Sequence, residues 1–153
     1  MLMIWRHMRG TRILDTTSFH TNPRTLAQLM GIRVRTAVTP HGWWGAYDYR
    51  RRLITLRPGL GPIQLRCTLM HELGHAHYGH TGVTGKQETL ANRWAAYRLI
   101  DFDDLLSVAS VEQSSSGVAA ALEVMPDVLE TYLQLLTRSQ LSALRAAALR
   151  RVA

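Results

Sequence analysis

The stretch that constrains this chain most runs from residue 62 to residue 80 and reads PIQLRCTLMHELGHAHYGH. It contains His71, Glu72 and His75 in the order H-E-x-x-H. Pro62 suits a first helical turn, and nothing from there to residue 76 breaks a helix except one tolerated glycine. The sequence therefore predicts a helix over residues 62–76 that carries all three polar side chains.

The helical phase gives this segment two different faces. At about 100° per residue, His71 and His75 lie about 40° apart, whereas the leucines at 65, 69 and 73 fall on the opposite side. Two imidazoles at i and i+4 can bind one Zn²⁺, and Glu72 can reach a water molecule beside the metal rather than the metal itself. The phase favours a hydrolytic zinc site over a helix with two merely solvated histidines.

A catalytic zinc site needs a third protein ligand. His77 and His80 lie about 240° and 180° around the helix from His71, so neither converges on the metal while the helix continues. The ligand would then come from a second helix, which the T-x-x-Q cap at residues 84–87 predicts. Glu88 is the favoured third ligand, and His80 at the helix end is the alternative.

Two motifs follow each other here: R-C-T-L-M-H-E-L-G-H at residues 66–75, and E-x-x-A-N-x-x-A at residues 88–95. Together they resemble the ImmA/IrrE family of zinc metallopeptidases, over roughly residues 22–136. The resemblance implies a gluzincin-like site in which His71, His75 and Glu88 bind Zn²⁺ and Glu72 is the general base. It also implies a protease that acts on a regulatory protein, commonly a phage or mobile-element repressor.

Length and composition suit a single metallopeptidase domain over residues 1–153. The chain has a mass of 17.3 kDa and 46% hydrophobic residues, which is enough for one core. Its single cysteine, Cys67, cannot form an internal disulfide, and we expect it to be a small buried side chain beneath the site. Without a membrane-spanning apolar run, the sequence predicts a cytoplasmic protein with no membrane partner.

The formal charge of +7 favours an acidic or nucleic-acid-bearing partner. The arginines are scattered, however, and those at 50–52 fit a solvated hairpin tip. A protein substrate, such as a helix-turn-helix repressor, is therefore favoured over direct nucleic-acid binding.

The flanking segments predict an α+β, zincin-like fold. A helix over residues 23–30 should begin at Asn22-Pro23 and end at Gly31. Extended segments at 32–38, 43–49 and 53–56 should form a small, mainly antiparallel sheet before the zinc helix. The segment 43–49 is a candidate edge strand along a substrate cleft, although its aromatic residues also suit a core or surface sheet.

The sequence divides into a catalytic core over about residues 20–100 and a helical C-terminal part over about 101–153. Helices are predicted near 102–110, 117–124, 126–136 and 138–151. Residues 118–133 resemble a helix-turn-helix, but Asp127 and Glu130 would repel phosphates. This pair is therefore expected to pack rather than to read DNA.

The sequence thus predicts a zinc-dependent intracellular endopeptidase. The alternative is a non-proteolytic, metal-stabilised regulator that binds a repressor or DNA. Glu72 favours the enzyme, because a scaffold has no use for a base at that position. Candidates for stabilising the oxyanion are Tyr78, His80 and Tyr97.

Overall fold

The structure, a computed structural model, describes residues 22–150, where a small sheet is followed by a run of helices. The elements in chain order are α1 (Pro23–Leu29), β1 (Arg33–Thr36), β2 (Gly45–Asp48), β3 (Leu53–Leu56), α2 (Pro62–Tyr78), α3 (Gly85–Leu99), α4 (Phe102–Ala109), α5 (Ser115–Ala121), α6 (Pro126–Leu135) and α7 (Arg138–Arg150). The predicted α+β fold and its order of elements are confirmed. Residues 1–21 and 151–153 lie outside the described residues, and with them the predicted end of the last helix at residue 151.

Local capping explains where the first helix begins and ends. The Asn22 side chain accepts a hydrogen bond from the Arg24 N–H at 2.8 Å, and Pro23 occupies the first turn. Gly31 follows the helix with φ of 65°, a left-handed conformation that glycine adopts without strain. The predicted boundaries of this helix are therefore confirmed to within one residue.

The sheet has the order β1-β3-β2 and is mixed rather than mainly antiparallel. β2 and β3 form the expected antiparallel pair, but β1 pairs with β3 in parallel. All four residues of β3 are buried, whereas three of the four in β1 are exposed. The apolar strand therefore takes the centre, and the chain must cross from one edge to the other between β1 and β2.

The core forms where the sheet meets α2. Ile54 and Leu56 of β3 join Leu69 and Leu73 of α2 in one buried cluster. The leucine face predicted for α2 is thus confirmed. The opposite face is also mostly buried, including Glu72, because β2 packs against α2 and Met125, just before α6, contacts Cys67.

Helices α2 and α3 approach each other very closely. A Cβ atom placed on Gly74 would lie 3.0 Å from the Cα and O atoms of Ala91, which is itself fully buried. Ala95 is buried in the same interface region. The small alanines of the second motif, E-x-x-A-N-x-x-A, make this close approach possible.

Arg66 ties the C-terminal helices to α2. Its guanidinium donates hydrogen bonds to the carbonyl oxygens of Glu123 at 2.7 Å, Leu122 at 3.5 Å and Leu99 at 3.4 Å. These carbonyls end α5 and α3, where helical oxygens lack partners within the helix. The arginine of the first motif, Arg66, therefore holds the turn before α6 close to α2 and to the end of α3.

The helix-turn-helix-like pair corresponds to α5 and α6. Helix α6 packs against α3, and the first turn of α6 reaches the same side of the molecule as Glu72 and the histidines. Among residues 22–150, no helix has both the length and the apolar character needed to cross a membrane.

Candidate metal centre

Three side chains from two helices converge on one point, and we call them the His–Glu cluster: His71, His75 and Glu88. The Nε2 atoms of the two histidines are 3.1 Å apart. Glu88 Oε2 lies 3.2 Å from His71 Nε2, and Oε1 lies 3.1 Å from His75 Nε2. Ligands held tetrahedrally at about 2.0–2.1 Å from zinc would be roughly 3.3 Å apart. The cluster therefore has the donor atoms and the spacing that a zinc ion requires.

The local sequence explains why Glu88 arrives at this point. Gly79, with φ of 65°, ends α2 in a left-handed turn. A complete capping box between Thr84 and Gln87 then fixes the start of α3. Glu88 lies in the first turn of α3, and the contact between Gly74 and Ala91 brings that turn against the histidines.

Both histidines of the cluster have a second polar partner. Asn92, one turn after Glu88, forms a side-chain hydrogen bond with His71. His75 uses its other nitrogen, Nδ1, in a 2.9 Å hydrogen bond with His80 Nδ1. Partners of this kind fix the tautomer and the orientation of a metal-binding imidazole.

His80, the alternative third ligand, is placed behind His75 rather than in the His–Glu cluster. The left-handed turn at Gly79 folds the chain back, so the His80 N–H donates to the His75 carbonyl oxygen at 3.0 Å. The His80 ring is buried and lies 5.0 Å from the His75 ring, measured between centroids. Its geometry is that of a side chain that supports His75.

Glu72 lies beside the cluster in a confined, nearly dry position, with only 6% of its surface exposed. The backbone N–H of Tyr47 in β2 donates a hydrogen bond to its carboxylate. A Cβ atom on Gly45 would lie 2.8 Å from Cγ and Oε1 of Glu72, so only glycine fits there. Burial and the charge of Glu88 raise the pKa of Glu72 to about 8, against the lowering effect of that N–H.

The surroundings of His71 and His75 favour the neutral imidazole. Burial, together with the charges of His71 and His80, lowers the pKa of His75 to about 4. Burial also lowers the pKa of His71, although Glu88 and Asn92 act in the opposite direction. Neutral imidazoles keep a lone pair available, which is the form that binds a metal ion.

The cluster and Glu72 line a cleft of about 760 Å³. One wall is β2 together with Trp43 and Trp44, and the loop between α2 and α3 contributes residues 80–83. β2 is an edge strand, so the predicted position of this segment along a cleft is confirmed. The two tryptophans precede the strand and remain 43% and 41% exposed, which excludes the core interpretation for them.

The opposite wall comes from the start of α6, for which the sequence predicts only a packing role. Met125, Asp127 and Val128 all line the cleft. Pro126 signals the start of a helix, but no local pattern indicates which part of the molecule that helix will meet.

Two further predictions concern side chains around the site. Cys67 is buried and accepts a hydrogen bond from the Met125 N–H at 3.4 Å, which confirms its packing role beneath the site. Burial raises the pKa of its thiol. Of the oxyanion candidates within residues 22–150, His80 lines the cleft, whereas Tyr78 and Tyr97 do not.

The comparisons with known proteins agree with this geometry. Residues 27–133, more than half of the chain, match the family described as IrrE N-terminal-like domain, Peptidase_M78. Neither the curated proteins nor the solved structures compared with the chain gave a significant match. The matched segment contains the His–Glu cluster, Glu72 and both walls of the cleft. The chain therefore belongs to the ImmA/IrrE family and has its metallopeptidase-like character.

Proposed function

We propose that this protein is a zinc-dependent endopeptidase in which His71, His75 and Glu88 bind the metal and Glu72 is the general base. The observation that carries the proposal is the His–Glu cluster with a buried carboxyl group beside it, at the floor of an open cleft. Two imidazole nitrogens and one carboxylate form a donor set typical of catalytic zinc.

Zinc, when bound, supplies a Lewis acid that polarises the scissile carbonyl and acidifies a neighbouring water molecule. A divalent cation held beside Glu72 would favour its charged form and lower the pKa of about 8. The Glu72 carboxylate then accepts the proton of the attacking water and later donates it to the leaving amine. The Tyr47 N–H fixes the carboxyl group while the proton moves, and Gly45 leaves room for it. His80 and Asn92 keep the imidazoles oriented.

The edge strand β2 suits a peptide substrate. An extended segment can add to such an edge through main-chain hydrogen bonds, which hold the chain without depending on its side chains. Because the Tyr47 N–H of β2 also contacts Glu72, a peptide beside this strand would lie close to the base. This arrangement supports cleavage within a chain.

We further propose that the substrate is a regulatory protein, such as a phage or mobile-element repressor, and that the reaction takes place in the cytoplasm. This part rests on the resemblance to the ImmA/IrrE family. The rival is a regulator that binds a repressor or DNA without cutting it.

Replacing Glu72 by glutamine tests the enzymatic proposal. Glu72→Gln should retain zinc and fold but lose about 10² to 10⁴ in turnover, because general-base catalysis contributes that much. The measurement is incubation with the repressor encoded nearest to the gene, followed by mass spectrometry and metal analysis. Glu130→Gln, which changes an exposed glutamate of α6, is the matched control and should cut normally.

The same variant separates the two functions in cells. An endopeptidase requires derepression to fail in Glu72→Gln. If this variant derepresses the target as well as the parent and no discrete cut is found with either protein, the binding regulator is the correct account.

A further inference from the structure

Asp127 is a carboxylate in the wall of the cleft that the proposed chemistry does not use. It lies in the first turn of α6 and is exposed. One oxygen, Oδ1, accepts a hydrogen bond from the Val128 N–H at 2.9 Å. Within residues 22–150, its carboxylate forms no ion pair with a lysine or an arginine.

The electrostatics of the cleft differ from those of the whole chain. The chain has a formal charge of +7, yet none of the described lysines and arginines lines the cleft. Of the carboxyl groups in the part of the chain that the structure describes, three line the cleft: those of Glu72, Glu88 and Asp127. The first two face the metal centre, where a divalent cation would offset their charge. Asp127 is not part of the His–Glu cluster, although its charge acts on His71 and partly offsets the lowering of that imidazole's pKa. It is therefore the carboxylate that remains accessible to a substrate.

The surroundings of Asp127 are apolar. Met125 and Val128 flank it and are half-buried, and large exposed side chains line other parts of the cleft, namely Trp43, Trp44 and Val83. A surface of this kind suits a side chain with a long aliphatic stem and a cationic end. Lysine and arginine have this form, and arginine also stacks on tryptophan.

We propose that Asp127 selects substrates that place a lysine or an arginine side chain against the start of α6. The inference rests on the proposed function and adds a specificity to it. Long-range attraction cannot produce such a preference, because a net positive chain favours acidic partners. A basic preference would therefore have to come from this local contact.

The competing role for Asp127 is local support of α6, since a negative charge and an acceptor both stabilise a helix N-terminus. Asp127→Asn separates the two roles. It keeps an acceptor for the Val128 N–H and removes the charge. Asp127→Lys reverses the charge, and Glu130→Gln on the next turn, outside the cleft lining, controls for general effects on α6.

The first experiment digests a peptide library prepared from a whole proteome with the zinc-loaded protein and maps the cuts by mass spectrometry. The parent and Glu130→Gln should enrich Lys or Arg at one fixed position relative to the cut, by about fivefold over Asp and Glu, as expected for a partly exposed charge pair. Asp127→Asn should still cut but lose the enrichment, and Asp127→Lys should favour Asp or Glu there. The inference is overturned if Glu72-dependent cutting shows no enrichment of Lys or Arg, or if the enrichment survives in Asp127→Asn. In both cases the proposed function still holds.

The second experiment does not need turnover. Zinc-loaded Glu72→Gln is applied to arrays of extended alanine-based peptides that carry one lysine, glutamine or glutamate. The inference requires the lysine peptides to bind more tightly than the other two. This preference should disappear in the double variant Glu72→Gln/Asp127→Asn. Equal binding of all three peptides overturns it. If the library shows no cutting while the lysine preference and its loss are observed, the endopeptidase proposal fails and the subsite stands.

Discussion

His75 shows how a single side chain can have two roles divided between its ring nitrogens. Its Nε2 atom lies in the His–Glu cluster, and its Nδ1 atom pairs with His80. If the metal binds Nε2, the Nδ1 atom of His75 carries the hydrogen and donates the hydrogen bond, which His80 Nδ1 accepts. Loss of Glu88 should therefore lower the metal affinity more than loss of His80.

We expect Glu88→Gln to weaken zinc retention more than His80→Ala. The first change removes a ligand, whereas the second removes only a supporting hydrogen bond, which is typically worth 10- to 100-fold in affinity. Competition with a chelator gives the order of the two variants. The reverse order would make His80 the ligand.

Metal analysis should find one zinc per chain in the parent and none in His71→Ala or His75→Ala. Full zinc in both of these variants would contradict the site itself.

Sequence alone specifies the centre of the site much better than its walls. The spacing of His71, Glu72 and His75 on one helix depends only on helical geometry, which any helix of this sequence would have. Asn92 was visible in the second motif without an assigned role. Asp127 lies far along the chain, and its position depends on the contacts of Arg66 with the end of α5, which no local pattern encodes.

Helix boundaries were predictable because their signals are local. The cap at Asn22, the capping box at Thr84 and the proline at the start of α6 each act within one turn. The strand order was not predictable in the same way. It depends on which strand is buried on both faces, and β3 takes the centre only because α2 and both neighbouring strands enclose it.

The contact between α2 and α3 provides a test at the level of whole helices. Gly74→Val should push the helices apart, because even a Cβ atom would lie 3.0 Å from the Ala91 backbone. Overpacking of this kind costs about 1–3 kcal/mol, and Glu88 would withdraw from the histidines. We expect a lower melting temperature and at least about tenfold weaker zinc binding.

Gly85 is the matched control for this substitution. It begins α3, and no atom lies within 4 Å of a Cβ atom placed there, so Gly85→Ala should leave stability and zinc affinity close to those of the parent. Gly74→Val with parental stability and zinc affinity would show that the close helix approach does not position Glu88.

At the scale of the whole molecule, the cleft is assembled from three parts of the chain. The sheet supplies β2, the α2–α3 pair supplies the His–Glu cluster and Glu72, and the C-terminal helices supply the wall at Asp127. Arg66 connects the second part to the third through backbone carbonyls. The helical C-terminal part is therefore needed to form one wall of the cleft.

Because the cluster joins α2 to α3 at the centre of this assembly, zinc should stabilise the entire fold. A ligand that binds only the folded state at about 100 times its Kd adds about 2.7 kcal/mol. In a domain of this size, that should raise Tm by about 5–10 °C. Thermal unfolding with zinc and with a chelator measures the shift in Tm.

Two variants control this prediction. Glu72→Gln should show the same shift in Tm as the parent, since its side chain is not a ligand, whereas His71→Ala should show none. If the zinc-induced rise in Tm persists in His71→Ala, the stabilising metal binds elsewhere. If the rise is lost in Glu72→Gln, the Glu72 carboxyl group binds the metal and is not the base beside it.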